Sequence, residues 1–169
     1  MTVVSRAGWL PGIVLLVILA ACGPSTRPLA HAQPSEGDLT SAVLAALERR
    51  DEAALRALAI SEDEFRDQVW PELPAARAER NLPMAYVWQD LRQKSDAGLA
   101  RTLAAHGGRR YRLERVEFKG GTTQYNSFVV HRDTVVVLVD ERGARTEVRL
   151  FGSILAKDDG VKVFSYVVD

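Results

Sequence analysis

Apolar positions in the first half of the chain recur at the spacing of an α-helix. One set begins after Asp38 and a longer set begins after Asn81, and each places its apolar side chains on a single helix face. The first set is Leu39, Ala42, Val43, Ala46 and Leu47, and the second is Met84, Val87, Trp88, Leu91, Leu99 and Leu103. Two shorter sets lie between them, Leu55 with Leu58, and Phe65 with Val69 and Trp70. The pattern predicts four helices, of which the last is the longest.

Polar residues, prolines and glycines mark the ends of these helices. Asp51 can cap the second helix. Ser61-Glu62-Asp63-Glu64 fits a capping box, in which the serine hydroxyl accepts from the Glu64 N–H and the glutamate carboxylate accepts from the serine N–H. The third helix is predicted to end before Pro71, because a proline disfavours helical conformation in the residue before it. Pro83 suits the first turn of the longest helix, and His106-Gly107-Gly108 is predicted to close it.

After Tyr111 the pattern changes to strands. The predicted strands are residues 113–118, 125–131, 135–139, 146–155 and 161–168, separated by turns at Lys119-Gly120-Gly121, Asp140 to Gly143 and Asp159-Gly160. The run from Val135 to Val139 is aliphatic throughout, which predicts burial on both faces. Helices followed by antiparallel strands predict an α+β domain, with the N-terminal helices packed on a curved antiparallel sheet.

In the strand predicted over 146–155, alternate side chains point to opposite faces. One face carries Val148, Leu150 and Ile154, and the other carries Arg149, Phe151 and Ser153. The strand therefore brings a cation, an aromatic ring and a hydroxyl to one side of the predicted sheet.

Near the N-terminus a short apolar run leads to the chain's single cysteine. Ile13 to Leu19 is aliphatic, Arg6 precedes it, and Ala20 and Ala21 separate it from Cys22. A basic start, an apolar run and small residues before a cleavage point are typical of a signal peptide. The run Leu19-Ala20-Ala21-Cys22 resembles a bacterial lipoprotein signal. This resemblance implies cleavage between Ala21 and Cys22 and acylation of the cysteine.

Two other interpretations of this segment fit less well. A membrane-spanning helix needs about 20 apolar residues, whereas the stretch from Ala7 to Ala21 is shorter and is interrupted by Pro11-Gly12. An ordinary secretory signal would be cut at a site such as Ala30-His31-Ala32. Under that second interpretation the position of Cys22 stays unexplained, and the exported protein would carry an unpaired thiol.

The chain is predicted to have three parts. Residues 1–21 are a lipoprotein signal peptide, residues 22–37 are a lipidated N-terminus with a flexible tether, and residues 38–169 are a single α+β domain. The tether prediction depends on Pro24, Pro28 and Pro34, which lie among small and polar residues without apolar periodicity. The part that follows the signal has the length of one domain.

The composition limits which partners the protein is expected to bind and how its fold can be stabilised. The 169 residues include 22 basic and 22 acidic side chains, and such a balance favours neither nucleic acid nor an anionic membrane surface as a partner. One cysteine allows no disulfide within the chain. Stability must therefore come from a packed core, for which an apolar content of 47% is sufficient.

The order of elements resembles the nuclear-transport-factor-two-like superfamily, whose cone-shaped fold also occurs in cystatin-like lipoproteins. The final strand Val161-Lys162-Val163-Phe164-Ser165-Tyr166 contributes to this resemblance. Three segments are similar to an uncharacterised group of bacterial lipoproteins: Trp70-Pro71-Glu72-Leu73-Pro74, Asn81-Leu82-Pro83 and Leu150-Phe151-Gly152-Ser153. The resemblance covers residues 38–169 and implies a cone with an inner face. Members of the superfamily include isomerases, dehydratases and many binding modules without catalysis, so fold alone does not assign a function.

Aromatic and polar side chains on the inner face of such a cone would form a pocket. Trp88, Tyr125, Phe151 and Tyr166 are the candidate walls, and Arg149 and Ser153 are the candidate polar points. Trp88 and Phe151 also fit plain core positions. Arg149 also fits an ion pair with an acid on a neighbouring strand.

The residues for catalysis or metal binding are sparse. The three histidines, His31, His106 and His131, are scattered singly without the spacing of zinc ligands. Asp158-Asp159-Gly160 lacks the further ligands of a calcium loop and fits a hairpin turn. Nucleophile-elbow, phosphate-loop and dinucleotide-binding motifs are absent. We therefore expect no catalytic residue, no metal and no cofactor.

These observations favour a lipid-anchored extracytoplasmic module that binds a protein partner or a small apolar ligand, without catalysis of its own. Its membrane contact would be the lipid at Cys22, and a homodimer is compatible with this expectation. In a Gram-negative host, Gly23 after the cysteine favours the outer membrane, facing the periplasm, as the lipoprotein resemblance implies. The alternative function is an isomerase- or dehydratase-like enzyme that uses the interior of the cone. An acid or histidine deep in an open cavity would favour that alternative.

Overall fold

Helices come before strands in the computed structural model, which describes residues 27–168. The helices are α1 (Glu36–Glu48), α2 (Glu52–Ala57), α3 (Glu62–Glu64) and α4 (Met84–His106). Helix α3 continues as a π-helical turn over Phe65–Val69, and three 3₁₀ turns follow it, Trp70–Glu72, Pro74–Ala76 and Ala78–Arg80. The strands are β1 (Tyr111–Phe118), β2 (Thr122–Gln124), β3 (Val129–Arg132), β4 (Thr134–Asp140), β5 (Arg145–Val148), β6 (Ser153–Lys157) and β7 (Gly160–Ser165).

The helix starts follow the predicted capping chemistry. The Asp51 side chain accepts a hydrogen bond from the Ala54 N–H at the start of α2. Ser61 and Glu64 form both bonds of the capping box at the start of α3. Pro83 precedes α4 directly. The third predicted helix ends before Pro71, since α3 and its π-helical turn end at Val69. A separate 3₁₀ turn then includes the proline near its start, where the missing N–H costs no hydrogen bond.

The strands form two antiparallel sheets, which confirms the α+β class. One sheet has the order β1-β4-β5 and the other has the order β2-β3-β6-β7. The aliphatic run predicted burial from Val135 to Val139, and Val135 to Leu138 are buried whereas Val139 is partly buried. β4 is the central strand of the first sheet. The predicted single sheet is therefore replaced by two.

The two predicted strands that the Lys119-Gly120-Gly121 turn separates, residues 113–118 and 125–131, do not pair with each other. β1 pairs with β4, from Tyr111 opposite Asp140 to Phe118 opposite Thr134. A local turn signal predicts a change of direction but does not choose the partner. The buried strand β4 needs a neighbour on each edge, and β1 supplies one of them.

Two predicted strands differ from the observed ones. In the predicted strand 125–131, the residues up to Phe128 are irregular and only residues 129–131 belong to a strand, β3, which pairs with β2. The predicted strand 146–155 becomes β5 in one sheet and β6 in the other. The chain crosses between the sheets at Gly152, where a Cβ atom would lie 1.8 Å from the carbonyl oxygen of Val167. Only glycine permits this close approach of the two backbone segments.

The four-stranded sheet contributes apolar side chains to a core cluster on each of its faces. Successive residues of β6, Ile154 and Leu155, belong to different core clusters because side chains alternate along a strand. The first cluster lies between this face, α1 and the three-stranded sheet, and includes Leu39, Val43, Leu47, Leu99, Val136, Leu138, Phe151, Ile154, Val163 and Tyr166. The second cluster comprises Leu29, Ile60, Phe65, Val69, Trp88, Phe128, Val130 and Leu155.

Part of the predicted tether packs on the domain, so the predicted boundary at residue 37 is wrong. Leu29 is only 8% exposed and belongs to the second core cluster. Gln33 exchanges backbone hydrogen bonds of 2.9 and 2.8 Å with Val161 at the start of β7. Ser35 caps α1, which begins at Glu36. The sequence did not predict this packing, because one buried leucine and one bridge between strands produce no periodic pattern of apolar residues in a proline-rich segment.

A buried ion pair joins α3 to β7. Lys162 Nζ lies 2.9 Å from Glu64 Oε2, and the two side chains are 2% and 6% exposed. The same carboxylate accepts hydrogen bonds from the backbone N–H groups of Ala30 and Ser61, each at 2.7 Å. Burial alone would raise the pKa of Glu64, but the hydrogen bonds from Lys162, Ser61 and Ala30 outweigh it and hold the pKa below its usual range. The N-terminal segment, α3 and β7 thus meet at one ionised carboxylate.

Candidate functional site

An open cleft of about 830 Å³ lies between α4 and the face of the four-stranded sheet that carries the second core cluster. Nine apolar or aromatic side chains line it: Phe65, Leu73, Val87, Leu91, Tyr125, Val130, Phe164, Val167 and Val168. The polar side chains that line it are Asp90, Lys94, Arg132, Asp133, Arg149, Ser153 and Ser165. Its volume and its mostly apolar lining are those of a site for a small molecule.

Helix α4 forms one wall of the cleft. Val87, Asp90, Leu91 and Lys94 lie three and four residues apart, so their side chains share one face of the helix. Val87 and Leu91 are only partly buried, because the second core cluster covers one side of them and the cleft opens on the other. The apolar stripe of α4 therefore serves both the core and the cleft.

Tyr125 forms the edge of the opposite wall and is held there by a short loop. Its ring stacks on Phe128 at 4.5 Å between ring centroids. The Glu72 carboxylate accepts from the Ser127 N–H at 3.1 Å and from the Ser127 hydroxyl at 2.6 Å. Burial alone would raise the pKa of Glu72, but the bonds from Ser127 outweigh it and lower the pKa. An ionised carboxylate thus fixes the loop that carries Tyr125.

The cleft has one polar end, formed by Arg132, Ser153 and Ser165 on three adjacent strands. Arg132 lies opposite Ser153, and Ser153 lies opposite Ser165. The two serine hydroxyls are 3.3 Å apart. Next to them, Arg149 Nε donates to Asp133 Oδ1 at 2.5 Å, and this hydrogen bond lowers the pKa of Asp133. We call Arg132, Ser153 and Ser165 the polar end.

Three of the six predicted pocket residues line the cleft, namely Tyr125, Arg149 and Ser153. Phe151 does not, because the predicted continuous strand is broken at Gly152 and the ring lies in the first core cluster. Trp88 packs 5.1 Å from Phe65 between ring centroids and is a core residue.

Tyr166 also lies in the first core cluster and outside the cleft. Its hydroxyl donates to the Leu55 carbonyl at 2.8 Å, and burial raises its pKa. Arg149 pairs with an acid, as predicted, but that acid is Asp133, which lies in the turn between β3 and β4 and not on a neighbouring strand.

The histidines lie away from the cleft. His131 stacks on Phe118 at 4.4 Å and its Nδ1 is 2.9 Å from the Thr122 hydroxyl. His106 ends α4 beside Tyr111, and burial lowers its pKa, with a smaller contribution from Arg109. Within residues 27–168, no group of three or more His, Cys, Asp or Glu side chains is arranged to hold a metal ion.

The predicted lipid attachment at Cys22 and the cleavage point after Ala21 lie outside the described residues. Over residues 27–168, every helix is too short or too polar to cross a bilayer. No family model, no curated protein and no solved structure matches the chain.

Proposed function

We propose that the protein is a lipid-anchored module of the cell envelope that binds a small ligand with an apolar body in the cleft, without catalysis of its own. The observation that carries this proposal is the open cleft, whose apolar walls from α4 and the four-stranded sheet face each other across about 830 Å³. Clefts of this volume, lined mainly by apolar side chains with a few polar groups, are the usual sites of small-molecule binding.

The charges in the cleft also favour binding over the isomerase- or dehydratase-like alternative. That alternative requires an acid or histidine available for proton transfer inside the cavity. Of the two carboxylates that line the cleft, Asp90 lies 2.7 Å from Lys94 Nζ and Asp133 lies 2.5 Å from Arg149 Nε. Each of these carboxylates is paired with a cation of the protein, and the polar lining is suited to orienting a ligand.

The finer fold assignment, a cone of the nuclear-transport-factor-two-like or cystatin-like kind, is part of this proposal. Two features support it: helices precede the antiparallel strands, and an apolar cleft lies between a helix and one sheet. The cleft would then correspond to the open interior of the cone.

If the ligand binds in the cleft, a charge placed on the apolar wall should weaken its binding. The neutral dye N-phenyl-1-naphthylamine should bind the purified protein and gain fluorescence. Val87→Asp should weaken that binding by more than about tenfold, because an unpaired carboxylate in an apolar wall costs several kcal/mol. Ala85→Asp adds the same charge at an exposed position of the same helix and should bind the dye like wild type.

A second variant separates loss of the cleft from loss of the fold. Val87→Trp keeps the wall apolar but fills part of the cleft, and it should also weaken dye binding while the far-ultraviolet circular dichroism stays unchanged. Equal dye binding by wild type, Val87→Asp and Val87→Trp would place the ligand elsewhere and overturn the proposed site.

The anchor predicts a covalent modification. Cells that express the protein and are fed labelled palmitate should incorporate label into wild type and into Ser25→Ala, but not into Cys22→Ser. Without its acyl chains, each methylene of which contributes about 0.8 kcal/mol to membrane binding, Cys22→Ser should lose the lipid contribution to membrane association. In a Gram-negative host the labelled protein should fractionate with the outer membrane. Equal label in wild type and Cys22→Ser would rule out acylation at this cysteine.

A further inference from the structure

Within residues 27–168, one cation that lines the cleft has no side-chain partner. Three cations of this part of the chain line the cleft, and two of them face carboxylates: Lys94 faces Asp90, and Arg149 faces Asp133. The Arg132 guanidinium makes no hydrogen bond or ion pair with any other described residue. The lining that residues 27–168 contribute therefore has one positive charge in excess, located at the polar end.

The polar end also offers hydrogen bonds. The hydroxyls of Ser153 and Ser165 are 3.3 Å apart, and only one hydrogen can lie between them. The other hydroxyl hydrogen is available to an acceptor in the cleft. Arg132 is in register with Ser153 across β3 and β6, so a planar guanidinium and a hydroxyl donor lie side by side on the same sheet. A guanidinium fork matches the two oxygens of a carboxylate.

The remainder of the lining is apolar and leads away from the polar end. Val130 and Phe164 continue the floor on β3 and β7, and Val87 and Leu91 form the wall on α4. A ligand with one negative charge at one end and an aliphatic chain behind it would match the charge and the apolar surface together.

We propose that the cleft binds a single-chain carboxylate amphiphile, with its carboxylate at Arg132, Ser153 and Ser165 and its alkyl chain between α4 and the sheet. This inference rests on the proposed function and specifies the ligand class for the same cleft. The single excess charge favours a monoanion. A neutral ligand of the same shape would leave Arg132 without a counter-ion.

The test compares dodecanoate, below its micellar concentration, with dodecanol, below its solubility limit, by calorimetric titration of the purified protein. Dodecanoate should bind at least about tenfold more tightly than dodecanol, since a charge-assisted hydrogen bond contributes about 1.5–3 kcal/mol. Arg132→Gln should remove that preference and leave dodecanol binding within about twofold. Arg101→Gln removes one exposed cation of α4 outside the cleft and should behave like wild type.

The outcomes separate this inference from the proposed function. If dodecanol binds but dodecanoate gains nothing, or if Arg132→Gln keeps the preference for dodecanoate, the carboxylate site is wrong and the apolar cleft stands. If neither compound binds, both the inference and the proposed function fail. An equal loss of preference in Arg101→Gln would trace the effect to net charge and would also overturn the site.

Discussion

Replacing Lys162 by methionine is expected to destabilise the domain by about 3–5 kcal/mol, because it leaves the buried Glu64 carboxylate without its cation. A domain has a total stability of about 5–15 kcal/mol, so the variant should be close to unfolding. For a domain of this size the melting temperature should fall by roughly 10 °C or more. Thermal unfolding followed by circular dichroism gives the measurement.

The double variant Glu64→Gln/Lys162→Met distinguishes a broken pair from a damaged core. A glutamine can still accept from one of the N–H groups of Ala30 and Ser61, which bond to different oxygens of the carboxylate, and a methionine occupies the space of the lysine stem. Removing both charges should therefore recover part of the loss. Arg66→Met, which breaks an exposed ion pair, should leave the melting temperature nearly unchanged. A double variant as unstable as Lys162→Met would show that shape, and not charge, holds this junction.

Lowering the pH should reduce the contribution of the Glu64–Lys162 pair to stability. The folded-state pKa of Glu64 lies below its unfolded value of about 4.5, so its contribution is complete above that pH and is lost as the pH falls through the lower folded pKa. Wild type should lose stability in this acid range. The Glu64→Gln/Lys162→Met variant should lose less over the same range. If the stability of wild type and of the double variant fell equally as the pH is lowered, Glu64 would not be the cause of the acid sensitivity.

Replacing Gly98 by alanine is expected to destabilise the domain, although alanine is the better helix former by about 1 kcal/mol. A Cβ atom at Gly98 would lie 1.8 Å from the carbonyl oxygen of Tyr166 and 2.6 Å from its carbonyl carbon. Both atoms belong to the backbone and cannot rotate away. Overpacking of this kind costs about 1–3 kcal/mol and often more where backbone must shift, so the steric cost exceeds the gain in helix propensity.

Gly37→Ala provides the matched control for Gly98→Ala. Gly37 is also helical, and a Cβ atom there would meet only the Ser35 hydroxyl, at an ordinary contact distance of 3.7 Å. This variant should be neutral or more stable by up to about 1 kcal/mol. Urea unfolding of the two variants beside wild type should show shifts of opposite sign, or a loss for Gly98→Ala alone. A gain in stability for Gly98→Ala would contradict the close packing of α4 on the segment after β7.

Local chemistry allowed much of the helical half to be predicted from the sequence. The caps at Asp51 and Ser61 and the end of α4 at His106 depend on residues a few positions apart. Apolar periodicity placed the four helices for the same reason. The buried strand β4 was also predictable, since Val135 to Leu138 has no polar position to expose.

The strand partners could not be predicted in the same way, because they depend on contacts between distant residues. The two strands separate at Gly152, where the backbone lies close to the Val167 carbonyl, fifteen positions later in the chain. The pairing of β1 with β4 skips two strands. Alternation along residues 146–155 was continuous and carried no signal of either event.

The candidate site was predictable only in part for a related reason. Tyr125, Arg149 and Ser153 combine polar and aromatic character on predicted strands, and they line the cleft. Val87 and Leu91 were predicted as buried stripe residues, since periodicity shows that a face is apolar but not whether another element covers it. Arg132 became a candidate only when the partners of the neighbouring cations were known.

The packing of Leu29 and Gln33 on the domain limits how far the protein can stand from a membrane. A tether running from Cys22 to residue 37 would extend up to about 50 Å, whereas the chain from Cys22 to Leu29 extends at most about 25 Å. Under the proposed anchor, the domain therefore stays within roughly one domain diameter of the bilayer surface. Molecules that leave or enter that surface are within its reach, and partners on the far side of the compartment are not.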